Sequence, residues 1–273
     1  MKSIYIKSGK IKDVFNDLKN TFNGSLTSFD RDYNIALQSD IASGNIEGTV
    51  FDKDMTHIHF DVVFQDDIRI SLESSVDSPI FFTYCLDGFI QHSFGEQGHR
   101  KCIKKQESGI LKSNSSINSI LYFRKNIPIK FSIIRISLNS SDNLVNDELL
   151  KKIEKTFIET KENSLEVRPQ NSKIIEQIYE LNNINQKGIV RKLLKNKILE
   201  IILEIEIQQH TDNLVRIAQE INSSALKGFD EIKKVSNSII NYSVNELFTI
   251  KAMKHTSELF ISKFQVGLKI MNI

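Results

Sequence analysis

Two histidines one residue apart, His57 and His59, have the spacing that some β-barrel metal proteins use for two metal ligands. Such a site also needs a carboxylate shortly afterwards and a further histidine, all pointing inwards. Asp61 is the only carboxylate close behind the pair, and His92 and His99 lie near predicted turns. Apolar residues alternate with the two histidines, so the histidines are predicted to point outwards into solvent. We therefore predict neither a metal ligand nor a cofactor at this pair.

A second polar group lies in the loop Ser93–Arg100, which holds a glutamate, a histidine and an arginine within five residues. Loops at the mouth of a barrel often carry ligand contacts, but an exposed hairpin loop explains this composition better. Cys85 and Cys102 lack the spacing of a zinc knuckle or a disulfide framework and are predicted to be free thiols. The sequence contains no nucleophile elbow, phosphate-binding glycine loop or zinc-protease motif, so we predict that the chain is not an enzyme.

The composition is that of a folded chain with little overall charge. Hydrophobic residues make up 40% of the 273 residues, and the formal net charge is +2. A general nucleic-acid coat needs far more positive charge, so any contact with DNA must come from a local patch. No apolar run reaches the length of about 18 residues that a membrane span needs, and the first residues lack the apolar core of a signal peptide. We expect a cytoplasmic protein without a membrane partner.

The chain up to about residue 139 has the pattern of many short strands. Apolar and polar residues alternate over 57–64 and 68–72, and the run 80–86 ends in Asp87-Gly88, a strong hairpin signal. Further strands are predicted near residues 45–51, 89–93, 100–104, 109–113, 118–123 and 129–138. Short strands at this spacing predict an antiparallel sandwich or barrel.

Helices are predicted before and after these strands. Residues from Ile11 to Phe22 have the spacing of an amphipathic helix that ends at Asn23-Gly24. Residues 159–171 are polar and predict a connector. A helix over about 189–208 is apolar on more than one side. We expect one side to cover the strands and the other to contact a second copy, giving a homodimer.

The last 27 residues have the spacing of two short helices joined by a tight turn. Thr249 can cap the first helix, and Met253 points into its core. The second helix starts near Ser262, with Phe264 and Leu268 four residues apart on its inner face. Two short helices with exposed polar residues on the second predict a helix-turn-helix, whose second helix reads base edges in the DNA major groove.

This C-terminal pattern resembles the AraC-type family of transcription regulators. The residues that carry the resemblance are Thr249-Ile250, Met253, Glu258, Phe264 and Leu268-Lys269. In the front half, Ile41–Gly48 and Phe81–Gly88 resemble the β-barrel sensor domain found in one branch of these regulators. The resemblance implies an α+β fold: an N-terminal antiparallel, cupin-like β-barrel, then an all-α linker and a partial helix-turn-helix region.

The resemblance also implies three domains and a function. The domains are a sensor over residues 1–140, a helical linker and dimerisation region over 141–226, and part of a DNA-binding domain over 227–273. The implied function is sequence-specific binding of promoter DNA under the control of an unknown small-molecule effector. Residues from 227 onwards include seven lysines and four acidic residues, a local excess of three positive charges. This patch has the sign that DNA contact requires.

By the family pattern, the recognition helix places its DNA contacts at five positions, Ser262, Lys263, Gln265, Val266 and Lys269. Ser262, Gln265 and Val266 would face the bases. Glutamine can bond adenine through two hydrogen bonds, and valine can contact a thymine methyl group. The two lysines would face phosphates.

The sequence departs from the family pattern at three points. Glu258 replaces the turn glycine, and Phe260 replaces a small polar capping residue. The family's domain has two helix-turn-helix units, and only the first is matched, because four residues follow Lys269. We expect that the DNA-binding domain is truncated, whether by design, by a broken gene or as a natural short form. In a truncated domain, DNA binding would be weakened or lost. The alternatives are a sensor and dimerisation module without DNA binding, or a cupin-type metal protein or enzyme with a helical tail.

Overall fold

The computed structural model describes residues 1–7, 9–52, 55–74, 79–113, 117–137, 148–157 and 163–212. The strands are β1 Lys2–Ile6, β2 Ser25–Phe29, β3 Asp32–Gln38, β4 Ala42–Val50, β5 Met55–Phe64, β6 Ile68–Leu72, β7 Ile80–Asp87, β8 Phe89–Phe94, β9 Lys101–Lys104, β10 Glu107–Lys112, β11 Ser119–Phe123, β12 Pro128–Ile136 and β13 Ser164–Pro169. The helices are α1 Ile11–Phe22, α2 Glu148–Phe157, α3 Ser172–Asn182 and α4, which covers residues 188–212.

The strands form two sheets. One sheet has the order β1-β6-β11-β8-β9, and the other has the order β13-β10-β7-β12-β5-β4-β3-β2. Neighbouring strands are antiparallel except β1, which runs parallel to β6. The predicted α+β fold with a cupin-like, mainly antiparallel β-domain is confirmed. The two sheets form an open sandwich rather than a closed barrel, because each sheet ends in edge strands.

The core lies between the sheets and follows from the alternation along the strands. In β5, Phe60, Val62 and Phe64 are buried in this core. Phe64 packs against Phe22 of α1 and Phe123 of β11, with ring centroids 5.3 Å apart in both pairs. This aromatic cluster fills one end of the sandwich. Burial of several aromatic side chains supplies a large part of the stability of such a core.

Helix α1 packs against the eight-stranded sheet as the sequence predicts. It spans Ile11–Phe22 and ends at Asn23, which has the left-handed conformation with φ 52°. Phe15 is fully buried and contacts β4 at Gly48, where an added Cβ atom would lie 2.4 Å from the ring. Only glycine at position 48 therefore lets α1 pack this closely.

Helices α2, α3 and α4 contribute side chains that contact the outer face of the eight-stranded sheet. The ring of Phe157 in α2 packs edge to face against the ring of Phe82, with ring centroids 5.2 Å apart. The polar contacts of α3 and α4 include those to His59 and Asp32. The predicted solvent exposure of the two histidines is therefore wrong: His57 is only 5% exposed, because the helices cover the face onto which it points.

The predicted connector over residues 159–171 is also wrong in its second half. Ser164–Pro169 forms β13, which pairs with β10 along its whole length. Leu165 is buried in the core and Glu166 beside it is exposed, an alternation too short to stand out in a polar stretch. The pairing extends the eight-stranded sheet by one strand.

The chain divides into two compact units, Met1–Ile205 and Glu206–Ile273. In the second unit, the structure describes residues 206–212, which are helical. The predicted boundaries near residues 140 and 226 stay predictions. None of the described helices has the length and apolar character needed to cross a membrane.

Candidate functional site: a cavity in the sandwich and a polar cluster behind it

A cavity occupies the end of the sandwich opposite the aromatic cluster. Strand pairing brings the strand ends there side by side: Val50 pairs with Thr56, Thr56 with Arg135, and Arg135 with Phe81. The matching row in the five-stranded sheet is Ile6, Leu72 and Ser119. The first turns of α1 lie at the same end. The cavity therefore has a wall from each sheet and a third wall from α1.

The cavity has a volume of about 880 Å³ and a mostly apolar lining. Apolar lining residues come from both sheets and from α1: Ile11, Val14, Leu18, Ile58, Phe60, Ile70, Leu72, Phe81, Leu121 and Ile133. Tyr33 adds a phenol and packs against Phe15 with ring centroids 5.3 Å apart. A volume of several hundred Å³ with apolar walls and few polar groups is typical of small-molecule sites.

The charged groups of the cavity are mainly positive. Among the described residues, five basic ones line it, Lys7, Lys10, Lys12, Arg31 and Arg135, against one carboxylate, that of Glu73. Arg31 forms an ion pair with Asp52, and Glu73 accepts a hydrogen bond of 3.0 Å from Tyr5. Lys10 and Lys12 lie exposed at the start of α1. This set of charges favours a ligand with an anionic group and an apolar body.

Strand β5 connects the cavity to the helices, because one of its faces lines the cavity and the other contacts α3. Thr56, Ile58 and Phe60 line the cavity. His57 and His59 alternate with them and point to the outer face. His59 Nδ1 lies 3.2 Å from Asn182 Nδ2 of α3 and 2.8 Å from Ser132 Oγ of β12. A shift of β5 at the cavity would therefore also move the side chain that contacts α3, because both belong to the same strand.

A polar cluster formed by Asp32, Thr49, Arg191 and Lys195 joins α4 to the same sheet. Lys195 Nζ donates to Asp32 Oδ1 at 2.7 Å and to Thr49 Oγ1 at 2.6 Å. Arg191 Nε donates to Asp32 Oδ2 at 2.8 Å. Thr49 Oγ1 donates to Asp32 Oδ1 at 2.7 Å. Both carboxylate oxygens of Asp32 are thus held, and two cationic side chains of α4 are fixed to strands β3 and β4.

Burial and charge shift the pKa values in this region. Burial raises the pKa of Asp32, but hydrogen bonds from Lys195, Thr49 and Arg191 lower it by more than burial raises it. The pKa of Asp32 therefore lies below its usual range. Burial lowers the pKa of Lys195, and Asp32 offsets part of that change. Burial lowers the pKa of His57 to about 3 and that of His59 to about 4. His57 Nε2 has no hydrogen-bond partner among the described residues.

The sequence-predicted site residues have mixed outcomes. The five DNA-contact positions, Ser262, Lys263, Gln265, Val266 and Lys269, lie outside the described residues. Over the part of the chain that the structure describes, no group of three or more His, Cys, Asp or Glu side chains could hold a metal ion. Cys85 and Cys102 are free thiols, as predicted.

Sequence reasoning missed the polar cluster, because Asp32 and Lys195 are 163 residues apart. One signal was available: Lys195 stands within the apolar pattern of α4, where a charged residue needs a buried partner. In the loop Ser93–Arg100, Glu96 pairs with Arg69 at 2.9 Å. The guanidinium of Arg100 stacks 3.9 Å above the ring of Tyr122.

Comparison with known proteins gives only remote structural similarities. No protein-family model matches the sequence, and no curated protein matches it. The chain is similar in structure to AraC-like regulators, the family that the sequence resembles. With the AraC-like transcriptional activator CuxR, the identity is 11% over 66% of this chain and 62% of that chain, with a TM-score of 0.41.

Two further structures show the same range of similarity. With ToxT from Vibrio cholerae, the identity is 15% over 57% of each chain, with a TM-score of 0.37. With the Cupin_2 domain of an XRE family transcriptional regulator from Enterobacter cloacae, the identity is 7% over 31% of this chain and 82% of that domain, with a TM-score of 0.26. This chain spans less than two thirds of CuxR or ToxT. All three TM-scores are below 0.5, so we base the function on the chain's own residues.

Proposed function

We propose that this chain is a transcription regulator that senses a small molecule in the cavity of its β-sandwich. The proposed ligand has an apolar body and one anionic group. The observation that carries the proposal is the double role of β5, whose Ile58 lines the cavity while His59 on the other face contacts α3. A ligand that changes the packing of this strand would change the contacts that hold the helices. Those helices precede the segment 227–273 with its helix-turn-helix pattern. A regulator of promoter DNA would act in the cytoplasm.

The chemistry of the lining defines the proposed ligand class. Apolar walls favour an alkyl or aromatic body, and Lys10 and Lys12 at the start of α1 favour a carboxylate or a similar anion. The lining is mostly apolar and offers surfaces for binding rather than a paired nucleophile and base. We therefore propose binding without catalysis, so the protein is not an enzyme.

The polar cluster gives a physical route from ligand to helix. Tyr33 lines the cavity, and its neighbour Asp32 holds Arg191 and Lys195 of α4. A ligand that favours one position of β3 would therefore favour one position of α4. This is a shift between two arrangements, and its size is limited by the difference in ligand affinity for the two.

DNA binding is proposed at the five sequence-predicted positions. Ser262, Gln265 and Val266 would contact bases, and Lys263 and Lys269 would contact phosphates. The support for this assignment is the residue pattern over 249–269 and the local excess of positive charge. The effector-dependent control of this segment is part of the same proposal.

A homodimer is proposed through the start of α4. Ile189, Val190 and Leu193 are 67%, 50% and 61% exposed, and they lie on one side of the helix at spacings of one, three and four residues. Further along α4, Ile198 and Leu199 are buried. A second copy of this surface would cover the apolar side chains through a self-complementary contact.

Binding of an alkyl carboxylate tests the sensing proposal. Calorimetry with the full chain should show saturable binding of dodecanoate and weaker binding of its neutral methyl ester. The double variant Lys10→Met/Lys12→Met should bind dodecanoate about tenfold more weakly, the factor that about 1.4 kcal/mol produces. It should bind the ester unchanged. Lys19→Met, an exposed position of α1 outside the cavity lining, is the matched control. Equal affinity of the double variant and the control would overturn the proposed ligand class.

A further inference from the structure

We propose that a second cleft, separate from the cavity, binds a small molecule with a carboxylate or phosphate group. The cleft has a volume of about 670 Å³ and lies between β9 and β13. Each of these strands is the last in its sheet. The sandwich is therefore not closed by strand pairing at this place, and side chains from both sheets meet across the opening.

Among the described residues, lysine side chains from both sheets line this cleft. Lys101 comes from the five-stranded sheet and Lys112 from the eight-stranded sheet, with His99 exposed beside them. Glu166 is the one carboxylate among the lining side chains in the described part of the chain. Lys101 Nζ donates to the main-chain oxygen of Leu165 at 2.9 Å, which spans the cleft. The Lys101 ammonium has three hydrogens, so it can still donate to a bound oxyanion.

A buried histidine gives the second indication of a ligand. His92 lines the cleft, is only 1% exposed, and its Nε2 has no hydrogen-bond partner among the described residues. The rings of Phe94 and His92 pack edge to face, with ring centroids 4.6 Å apart. This contact helps fix the orientation of the imidazole. Strand pairing places His92 directly opposite Lys101. A buried polar nitrogen without a partner is costly, and a ligand oxygen that accepts from it would remove that cost.

The loop Ser93–Arg100 completes the cleft. Gly98 and His99 line it, and the contacts of Glu96 with Arg69 and of Arg100 with Tyr122 hold the loop on both sides of them. Gly98 and His99, which line the cleft, therefore lie between Glu96 and Arg100, which are held by contacts with the sheet. This proposal does not depend on the proposed function of the larger cavity.

Histidine NMR of the full chain tests the proposal. The chain is labelled with ¹³C-histidine, and the His92 ring signal is followed during titration with sodium phosphate or sodium succinate at constant ionic strength. A saturable shift is expected with at least one of them. Saturation by phosphate alone assigns a phosphate-type ligand, and saturation by succinate alone assigns a carboxylate. The shift should require about tenfold more anion in Lys101→Met, because Lys101 stands opposite His92 and its charge-assisted contact is lost.

Two results would overturn this second site. One is the absence of a saturable His92 shift with both anions, a test that needs no variant. The other is the same anion affinity in Lys101→Met as in Lys130→Met, a half-exposed control on β12 that does not line the cleft. Because dodecanoate binding at the larger cavity is measured separately, failure of either site is distinguishable from failure of the other.

Discussion

The buried ammonium group of Lys195 lies 2.7 Å from the carboxylate of Asp32, which is one-third exposed. Asp32→Asn removes the anion and leaves the lysine buried. A fully buried pair loses about 3–5 kcal/mol in this way, so we expect about 2–3 kcal/mol of unfolding free energy to be lost here. Lys195→Met places an apolar side chain in the same space and should cost less, about 1 kcal/mol.

Urea unfolding at pH 7 measures both changes. The control is Asp61→Asn, which breaks the exposed pair with Lys130 and should change the unfolding free energy by less than about 0.5 kcal/mol. If Lys195→Met destabilises the chain more than Asp32→Asn, the cluster is not held together by charge in the way described.

Two buried histidines, His57 and His92, and the partly buried His59 should make the fold sensitive to mild acid. Burial lowers the pKa of His57 to about 3, and those of His59 and His92 to about 4, against an ordinary value of 6.5. Below pH 6.5 the unfolded chain takes up protons that the folded chain does not. The stability is therefore complete above pH 6.5 and falls as the pH approaches 4. Each histidine should cost about 1.4 kcal/mol per pH unit in this window.

Urea midpoints at pH 7.5 and pH 5 test this dependence. His92→Phe should lose part of the pH effect, because the phenyl ring binds no proton. His99→Gln should keep all of it, because His99 is exposed. A stability that is constant from pH 7.5 to pH 5 would contradict the burial of neutral imidazoles.

At the scale of elements, the docking of α1 depends on Gly48. The Cβ of an alanine at this position would lie 2.4 Å from the ring of Phe15, which is fully buried. Gly48→Ala should therefore lower the unfolding free energy by about 1–3 kcal/mol, the usual range for overpacking. It should also weaken dodecanoate binding, because α1 forms one wall of the cavity. Gly9→Ala, with its nearest neighbour at 3.7 Å, is the control for the unfolding free energy only, because Gly9 itself lines the cavity.

The exposed start of α4 should hold two copies together. Leu193→Lys is expected to shift the chain from dimer to monomer, because a charged side chain in an apolar contact must be desolvated. Light scattering at micromolar concentration measures the mass. Tyr179→Lys, at an exposed position on α3 that is 48% accessible, should leave the dimer intact. A wild-type chain that is monomeric under these conditions would rule out the proposed interface.

Local patterns were sufficient to predict most elements of the sandwich. The alternation in β5, the turn after β7 and the amphipathic spacing of α1 each depend on neighbouring residues, and each element forms where the sequence predicts it. Strand β13 was missed because its six residues alternate too briefly within a polar stretch. What makes it a strand is the pairing with β10, more than fifty residues earlier.

The candidate site was predictable only in its general nature. The exposure of His57 and His59 was wrong because the sequence shows two faces of β5 but does not show that α3 and α4 cover the outer one. The cavity needs the ends of distant strands, and the polar cluster needs Asp32 beside Lys195. Such contacts depend on tertiary packing, which no local pattern encodes.

At the scale of the whole molecule, β3 and β5 connect the ligand cavity to α3 and α4, which precede the predicted DNA-binding segment in the chain. If ligand binding favours one arrangement of α4, then DNA binding must in turn change the affinity for the ligand by the same factor. The polar cluster of Asp32 and Lys195 is the proposed connection. Its removal should leave both binding events in place and reduce the coupling between them.

The most direct test is fluorescence anisotropy of the full chain with pooled bacterial promoter DNA, with and without dodecanoate, at low and moderate salt. We predict sequence-specific binding that persists at moderate salt and changes at least about fivefold with dodecanoate, the lower end of usual coupling. In Lys195→Met, which should still bind dodecanoate, the change should fall below about twofold. DNA binding that ignores sequence and vanishes with salt, or an affinity that dodecanoate leaves unchanged, would contradict ligand control of DNA binding by this protein.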